Sequence, residues 1–180
     1  MIKMVASDLD GTLLIGGRQT LPEEIFPLVK ELKKMGILFV AASGRQYANM
    51  RNLFAPVKDE MAFISENGGL AVQNEKLLYC DSFDKELVRE IIQAIWEKPG
   101  AEFSCSTKDF YYIMPKTEHY RHLMIEEVKN QCKIIKSFDE ITEPCMKVAV
   151  YEREGMTEES IRYWLSLIHI SEPTRLQLIS

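Results

Sequence analysis

Asp8 and Asp10 stand two residues apart in the string Asp8-Leu9-Asp10-Gly11-Thr12, directly after the apolar run of residues 2–7. Side chains at i and i+2 of an extended chain point to the same side. Two carboxylates held that close repel each other, and a divalent cation relieves the repulsion. One carboxylate can then attack a phosphorus atom and form an aspartyl phosphate. The other can protonate the leaving oxygen and later activate water. Gly11 allows a sharp turn, and Thr12 supplies a hydroxyl beside it. The bland alternative is a solvated Asp-rich turn that caps a strand. At residue frequencies of roughly 5–7%, four fixed residues recur by chance about once in 10⁵ positions. That rarity, and the placement after the first apolar run, favour the chemical reading.

Two further polar clusters also follow apolar runs. Ser43-Gly44-Arg45 closes the run of residues 37–42. A Ser hydroxyl and backbone N–H groups at a helix N-terminus bind phosphate well. Arg45 could add a cation or a structural ion pair, and the whole cluster could equally be a helix cap. Glu66-Asn67-Gly68-Gly69 closes the run of residues 61–65. It is either a turn leaving the sheet or a place where the Asn67 amide donates to a substrate oxygen. Lys147, His119 and His122 read as surface or helix-face residues, with nothing to pair them as ligands.

The elements that must position these clusters alternate strand, helix, strand, helix, strand. The apolar runs are continuous rather than alternating, as in buried parallel strands covered on both faces. Between the first two runs, Thr20-Leu21-Pro22-Glu23 resembles a capping box. Ile25, Leu28, Val29, Leu32 and Met35 then give one apolar helix face, ended by Gly36. Tyr47, Met50, Leu53 and Phe54 suggest a second helix, stopped by Pro56. This alternation implies a parallel sheet with right-handed crossovers, and ligands of such sheets sit outside the carboxyl ends of the strands. All three polar clusters should therefore meet in one crevice.

After Gly69 the pattern changes. Residues 70–72 and 77–79 read as a hairpin around Gln73-Asn74-Glu75, and Leu87, Ile91, Ile95 and Trp96 mark a helix from about Asp84. Residues 102–106 and 110–114 flank a second turn, residues 117–130 read as a helix, and 147–151 as a strand. Hairpins and helices in this order suggest an α+β module inserted after the third strand.

Composition is consistent with a folded chain: 46% hydrophobic and 27% charged residues in 180. The net charge of −5 argues against a nucleic-acid partner, whose phosphates demand a basic face. Cys80, Cys105, Cys132 and Cys145 form no C-x-x-C pair, so no structural zinc site is expected. With no signal peptide and no run long enough to span a bilayer, the expected setting is a reducing cytoplasm.

The string DLDGTLL resembles the first motif of the haloacid dehalogenase superfamily, with Asp8 at the nucleophile position and Asp10 at the acid/base position. The Ser-Gly-Arg at 43–45 is similar to its second motif, and Glu66-Asn67-Gly68-Gly69 resembles the sequence before the inserted cap of the Cof-type subfamily. The resemblance implies a Rossmann-like α/β core of residues 1–80 with a partial α+β cap over 81–164. It implies a magnesium-dependent phosphatase of small phosphorylated metabolites, with Mg²⁺ on the Asp8 carboxylate and the Asp10 backbone carbonyl. Leu9, Thr12, Ser43, Gly44, Arg45 and Asn67 would bind the phosphoryl group. A phosphomutase or a non-catalytic metabolite-binding relative are the alternatives. The family's third-motif Lys and its GDxxxD-like acidic segment, which both follow the cap, are not found in this sequence. Residues 165–175 read LSLIHISEPTR, which resembles a translated sequencing adapter. Residues 165–180 are therefore expected to be a non-native tail, and the core incomplete at its C-terminal end.

Overall fold

A computed structural model describes residues 2–128 and 130–168. They divide into two compact units, parted between Asp81 and Ser82. The first holds β1 (Met4–Asp8), α1 (Ile25–Lys34), β2 (Leu38–Ala42), α2 (Tyr47–Leu53), β3 (Ala62–Ser65), β4 (Leu70–Gln73) and β5 (Lys76–Cys80). One sheet runs β1-β2-β3-β4-β5, its first three strands parallel and the last two antiparallel. Asp8 lies opposite Ala42, and Ala42 opposite Ile64, so the parallel strands end level. The β4–β5 turn is made by Asn74 and Glu75, both with positive φ (49° and 61°), the sign that fits a tight hairpin to the twist of its strands.

The apolar runs of β2 and β3 are buried as expected, with Phe39, Val40, Ala41, Ala62 and Phe63 inside. Rings pack between the layers, tilted or edge-to-face: Phe54 lies 6.2 Å from Phe39 and 6.0 Å from Phe63, and Tyr47 meets Phe63 edge-on at 5.6 Å. The run of residues 2–7 is different. It was expected to be covered on both faces, but β1 is an edge strand with Met4 57% and Val5 36% exposed. Its only paired neighbour among the described residues is β2. The apolar face of α1 is likewise only partly covered: Val29 is buried, while Leu28 and Met35 are exposed. The capping box at Thr20 does not form. The chain first makes a turn, with Ile25 N–H donating to Pro22 O and Phe26 N–H to Glu23 O, and the helix starts at Ile25 without a side-chain cap. Pro27 is accommodated because the N–H it lacks falls in the first turn, where no intrahelical acceptor exists.

The second unit holds α3 (Lys85–Glu97), β6 (Ala101–Ser106), β7 (Tyr111–Ile113), α4 (Glu118–His122), β8 (Cys132–Ile134), β9 (Lys147–Glu152) and α5 (Glu158–Ile168). Its sheet runs β8-β7-β6-β9, antiparallel except for β7–β8. Asp84 caps α3 by accepting from the N–H groups of Glu86 and Leu87 at 3.0 and 3.3 Å. Val88, Ile92 and Ile95 of that helix join a core with Phe103, Tyr112, Val148 and Trp164. Lys116 closes the other end of α3. Its Nζ donates to the carbonyls of Ile95 and Lys98 at 3.3 and 2.9 Å, taking up acceptors a helix terminus leaves unpaired, and to that of Ala101, at the start of β6, at 2.6 Å. Desolvation draws the Lys116 pKa below its usual value, partly opposed by the charge of Glu102.

The helix expected over 117–130 is shorter and changes pitch. After α4 the backbone opens into a π-turn over Leu123–Glu127, while Tyr120 and Met124 both stay buried in a small cluster with Tyr111 and Ile113. β8 was not foreseen, because three residues centred on an exposed Lys133 carry no pattern and only the ladder to β7 defines them. Lys147, expected at the surface, is buried as the first residue of β9, opposite Ser106. Trp164 anchors α5, its Nε1–H donating to Glu152 at 2.8 Å. Of the segment expected to be a non-native tail, Leu165 to Ile168 continue this helix, and residues 169–180 lie outside the described residues. No described helix is long and apolar enough to cross a membrane.

Replacing Asp84 by Ala removes the acceptor for two helix-terminal N–H groups. Chemical denaturation should show a loss of about 1 kcal/mol for the second unit.

Candidate active site

The level ends of β1, β2 and β3 place the three polar clusters side by side. Asp8 ends β1 with its carboxylate exposed, and its Oδ1 accepts from the Leu9 N–H at 2.8 Å. Leu9 itself is fully buried, and its carbonyl accepts the N–H groups of Thr12, Leu13 and Leu14. It was expected among the phosphoryl-binding residues. Its side chain is sealed from solvent, its carbonyl is the pin on which the 8–14 turn is wound, and its N–H donates to Asp8 Oδ1. Gly11 makes that turn possible with φ +81°, a conformation that side chains strain to adopt. Thr12 lies exposed on the same turn.

Asp10 reaches back over the loop after β2. Arg45 grips its carboxylate two-pronged: Nη2 donates to Oδ1 at 2.7 Å and Nε to Oδ2 at 3.0 Å. Ser43 Oγ lies 3.5 Å from the same Oδ2. The guanidinium is steadied from behind by Asn49 Oδ1, 3.3 Å from Nη1 and one helical turn further along. Of the two roles left open for Arg45, the structure shows the ion pair. The repulsion between the two carboxylates is therefore relieved on Asp10's side by Arg45. Hydrogen bonds from Arg45 hold the Asp10 carboxyl below its ordinary pKa, against the upward push of partial burial, and Arg45's charge and Ser43's hydroxyl add to the lowering.

Ser43 was a candidate helix cap. The helix begins four residues later, at Tyr47, with Gln46 at its cap position. Ser43 Oγ instead accepts the Arg45 N–H at 3.2 Å, bending the loop so that Arg45 faces Asp10. The loop is clipped to the third cluster through the main chain: Ser43 N–H donates to Ile64 O, Glu66 N–H to Arg45 O at 3.1 Å and Asn67 N–H to Ser43 O at 3.3 Å. Glu66 and Asn67 hold positive φ (50° and 56°), which costs of order 1–3 kcal/mol each and persists where surrounding bonds over-determine it. Gly44 is required by this docking. A Cβ there would collide with Asn67 Oδ1 and stand 3.2 Å from its Cγ.

Asp8, Asp10, Ser43, Gly44, Arg45 and Asn67 are thus one constellation. Asn49, which orients Arg45, was missed; the four-residue separation from Arg45, across the start of α2, was its one signal. Asp8 and Asp10 offer carboxylate oxygens, the hard donors that suit Mg²⁺ beside a phosphorylated ligand. No cluster of three or more His, Cys, Asp or Glu occurs among the described residues.

Residues 5–173 match a family described as haloacid dehalogenase-like hydrolase, a match that includes part of the segment set apart as a tail. The chain is 27% identical over 140 residues to the 5-amino-6-(5-phospho-D-ribitylamino)uracil phosphatase of Escherichia coli (strain K12), covering 78% of this chain and 52% of that protein. It is 33% identical over 91 residues to phosphoglycolate phosphatase 1 of Saccharolobus solfataricus, 50% of this chain and 40% of that protein. Among solved structures it resembles a haloacid dehalogenase-like hydrolase from B. subtilis, with TM-score 0.72 and 18% identity over 93% of this chain and 67% of that one. A HAD subclass IIB sugar phosphatase superposes with TM-score 0.69 and 20% identity, over 93% and 64%. These structural likenesses bear on fold alone. The chain spans about half the length of the curated relatives it matches.

Two outcomes are expected from this geometry. Gly44→Ala should destabilise the first unit by about 1–3 kcal/mol through overpacking, with the loss largely recovered in Gly44→Ala/Asn67→Gly; a denaturant series on both checks this. Arg45→Gln should let the Asp10 carboxyl titrate nearer the ordinary value of about 3.9, followed by carboxyl ¹³C NMR. The sign follows from the lowered folded-state pKa. The pair's contribution to stability is present above that ordinary value and is lost as pH falls through the lowered one, so Arg45→Gln flattens the acid limb. Asp10 is more than half exposed, so the effect on overall stability is small.

Proposed function

We propose that this chain, which belongs to the haloacid dehalogenase-like hydrolases, carries the nucleophile of a phosphatase acting on small phosphorylated metabolites through an aspartyl-phosphate intermediate. The observation that carries the reading is the division of labour between its two aspartates. Asp8 presents an exposed carboxylate at the strand end, while Asp10 is held by Arg45 and approached by Ser43. The matched relatives named as phosphatases, one for a ribitylaminouracil phosphate and one for phosphoglycolate, support a small phosphate monoester as substrate.

In this reading the Asp8 carboxylate attacks phosphorus in line, and the bond from phosphorus to the leaving oxygen breaks. Asp10 gives that oxygen its proton, then takes one from the water that cleaves the acyl phosphate and regenerates Asp8. The ionised state that Arg45 enforces on Asp10 suits the second half. The first half needs Asp10 protonated, and an arriving phosphoryl dianion competes for the same guanidinium, loosening its hold when the proton is required. In this reading Ser43, Asn67 and Thr12 donate to phosphoryl oxygens. Mg²⁺, held by the Asp8 carboxylate and the Asp10 main-chain carbonyl, would supply charge neutralisation for the phosphoryl oxygens. The activity is proposed for a protein that also carries the portion of its relatives' length this chain does not span.

The test is Asp8→Asn in that full-length protein. Hydrolysis of p-nitrophenyl phosphate should fall by at least about 10³-fold while the fold is retained by circular dichroism. Undiminished turnover would remove Asp8 from the nucleophile's role.

A further inference from the structure

Cys105 and Cys145 lie in the second unit, and the proposed reaction uses neither. Cys105 is in β6 and Cys145 in the segment that enters β9. Both are thiols, both are buried (0% and 3% exposed), and their Sγ atoms stand 2.7 Å apart. That is well inside the roughly 3.5–4.0 Å of ordinary non-bonded contact between heavy atoms. It approaches the ~2.05 Å of a covalent S–S bond. Chance proximity of two mobile side chains would not need the surrounding restraints that fix this pair.

Those restraints come from the main chain on both sides. Cys105 sits in the middle of the β6–β9 ladder, opposite Val148. Cys145 O accepts the Phe83 N–H at 2.9 Å, and the next residue, Met146, donates its N–H to Ser106 O at 2.9 Å. Two residues before Cys145, Glu143 accepts from Tyr112 Oη at 2.8 Å and Thr107 Oγ1 at 2.9 Å, tying the same segment to the β6–β7 hairpin. The backbone therefore delivers both sulfurs to one point, and closing the bond needs little further movement.

We propose that Cys105 and Cys145 form a reversible dithiol–disulfide couple, closed by peroxide and opened by thiols. One thiolate attacks an oxygen of hydrogen peroxide, giving a sulfenic acid and releasing water once protons are balanced. The second thiol displaces the hydroxyl from that sulfur, forming the S–S bond and releasing a second water. Overall two thiols and one peroxide give one disulfide and two waters; the sulfurs lose two electrons and the peroxide oxygens gain them. A small-molecule thiol reverses the bond by exchange through a mixed disulfide. Burial shields the pair from bulky reagents, which selects a reactant as small as peroxide and makes the reaction slow. The bond joins residues 40 apart in sequence, so it fixes the entry to β9 against β6 and constrains the unfolded chain.

The test uses the 180-residue chain and its Cys80→Ser/Cys132→Ser variant, which leaves the couple as the sole thiols; circular dichroism checks that the variant keeps the fold of the parent. After dilute peroxide, quench and denaturation in iodoacetamide, the variant should take up no alkyl group and weigh about 2 Da less than its reduced form. A non-reducing digest should join the peptides bearing Cys105 and Cys145, dithiothreitol should restore two alkylation sites, and the oxidised form should melt about 5 °C or more higher. Two alkylated cysteines after peroxide would overturn the proposal, as would a sulfinic acid on either sulfur or, in the parent chain, a bond to Cys80 or Cys132 instead. Cys145→Ser adds a further check: peroxide should then leave a sulfenic or higher acid on Cys105 with no intramolecular bond.

Discussion

Asp8 lies opposite Ala42, and Ala42 opposite Ile64, in three parallel strands that stop at one level. Everything chemical in the first unit depends on that register. A slip of one residue in either pairing would turn the carboxylate of Asp8 to the other face and separate the loops that follow. Because the strands end together, the loop after β2 can bond through its backbone to the residues after β3, and Arg45 can reach Asp10 across 35 residues of sequence. The aromatic layer of Phe39, Phe54, Phe63 and Tyr47 keeps the sheet and α2 from shifting under this edge.

How much of this was legible follows from what local sequence encodes. The positions of Asp8, Ser43 and Asn67 could be read because each closes an apolar run, and a parallel sheet sends all such ends to one side. The burial of β2 and β3 could be read for the same reason. The exposure of β1 could not, since an apolar strand looks the same in a sequence whether or not a neighbour covers it. Nor could the partner of Arg45: an ion pair and a phosphate contact call for the same residue. Leu9 shows the limit most clearly. It sits between two functional aspartates, yet its side chain is buried and its carbonyl takes the N–H groups of Thr12, Leu13 and Leu14, and only the wound turn reveals that.

In the second unit the polar groups that fix the fold are mostly distant in sequence from what they satisfy. Lys116 closes the end of α3 from the far side of a hairpin, and Glu102, buried in β6, accepts from Lys116 N–H and Thr117 Oγ1. Such contacts carry no periodicity, so patterning identified the helix at Asp84 and strands at 102–106 and 147–151 while missing what locks them. Glu143 behaves in the same way, joining a loop to two residues of the β6–β7 hairpin.

The open flank of β1 has a colloidal consequence. Among the described residues β1 pairs on one side only, and a strand with one such open row of N–H and C=O groups, flanked by exposed Ile2, Met4 and Val5, offers a template on which another extended segment can zip. What holds such molecules apart is the net charge of −5, a long-range repulsion that salt screens, while the apolar attraction at the flank is not screened. Ionic strength therefore sets the balance between dispersed chains and self-association, and the same buffer that quiets electrostatics in a measurement on this chain also lowers its solubility.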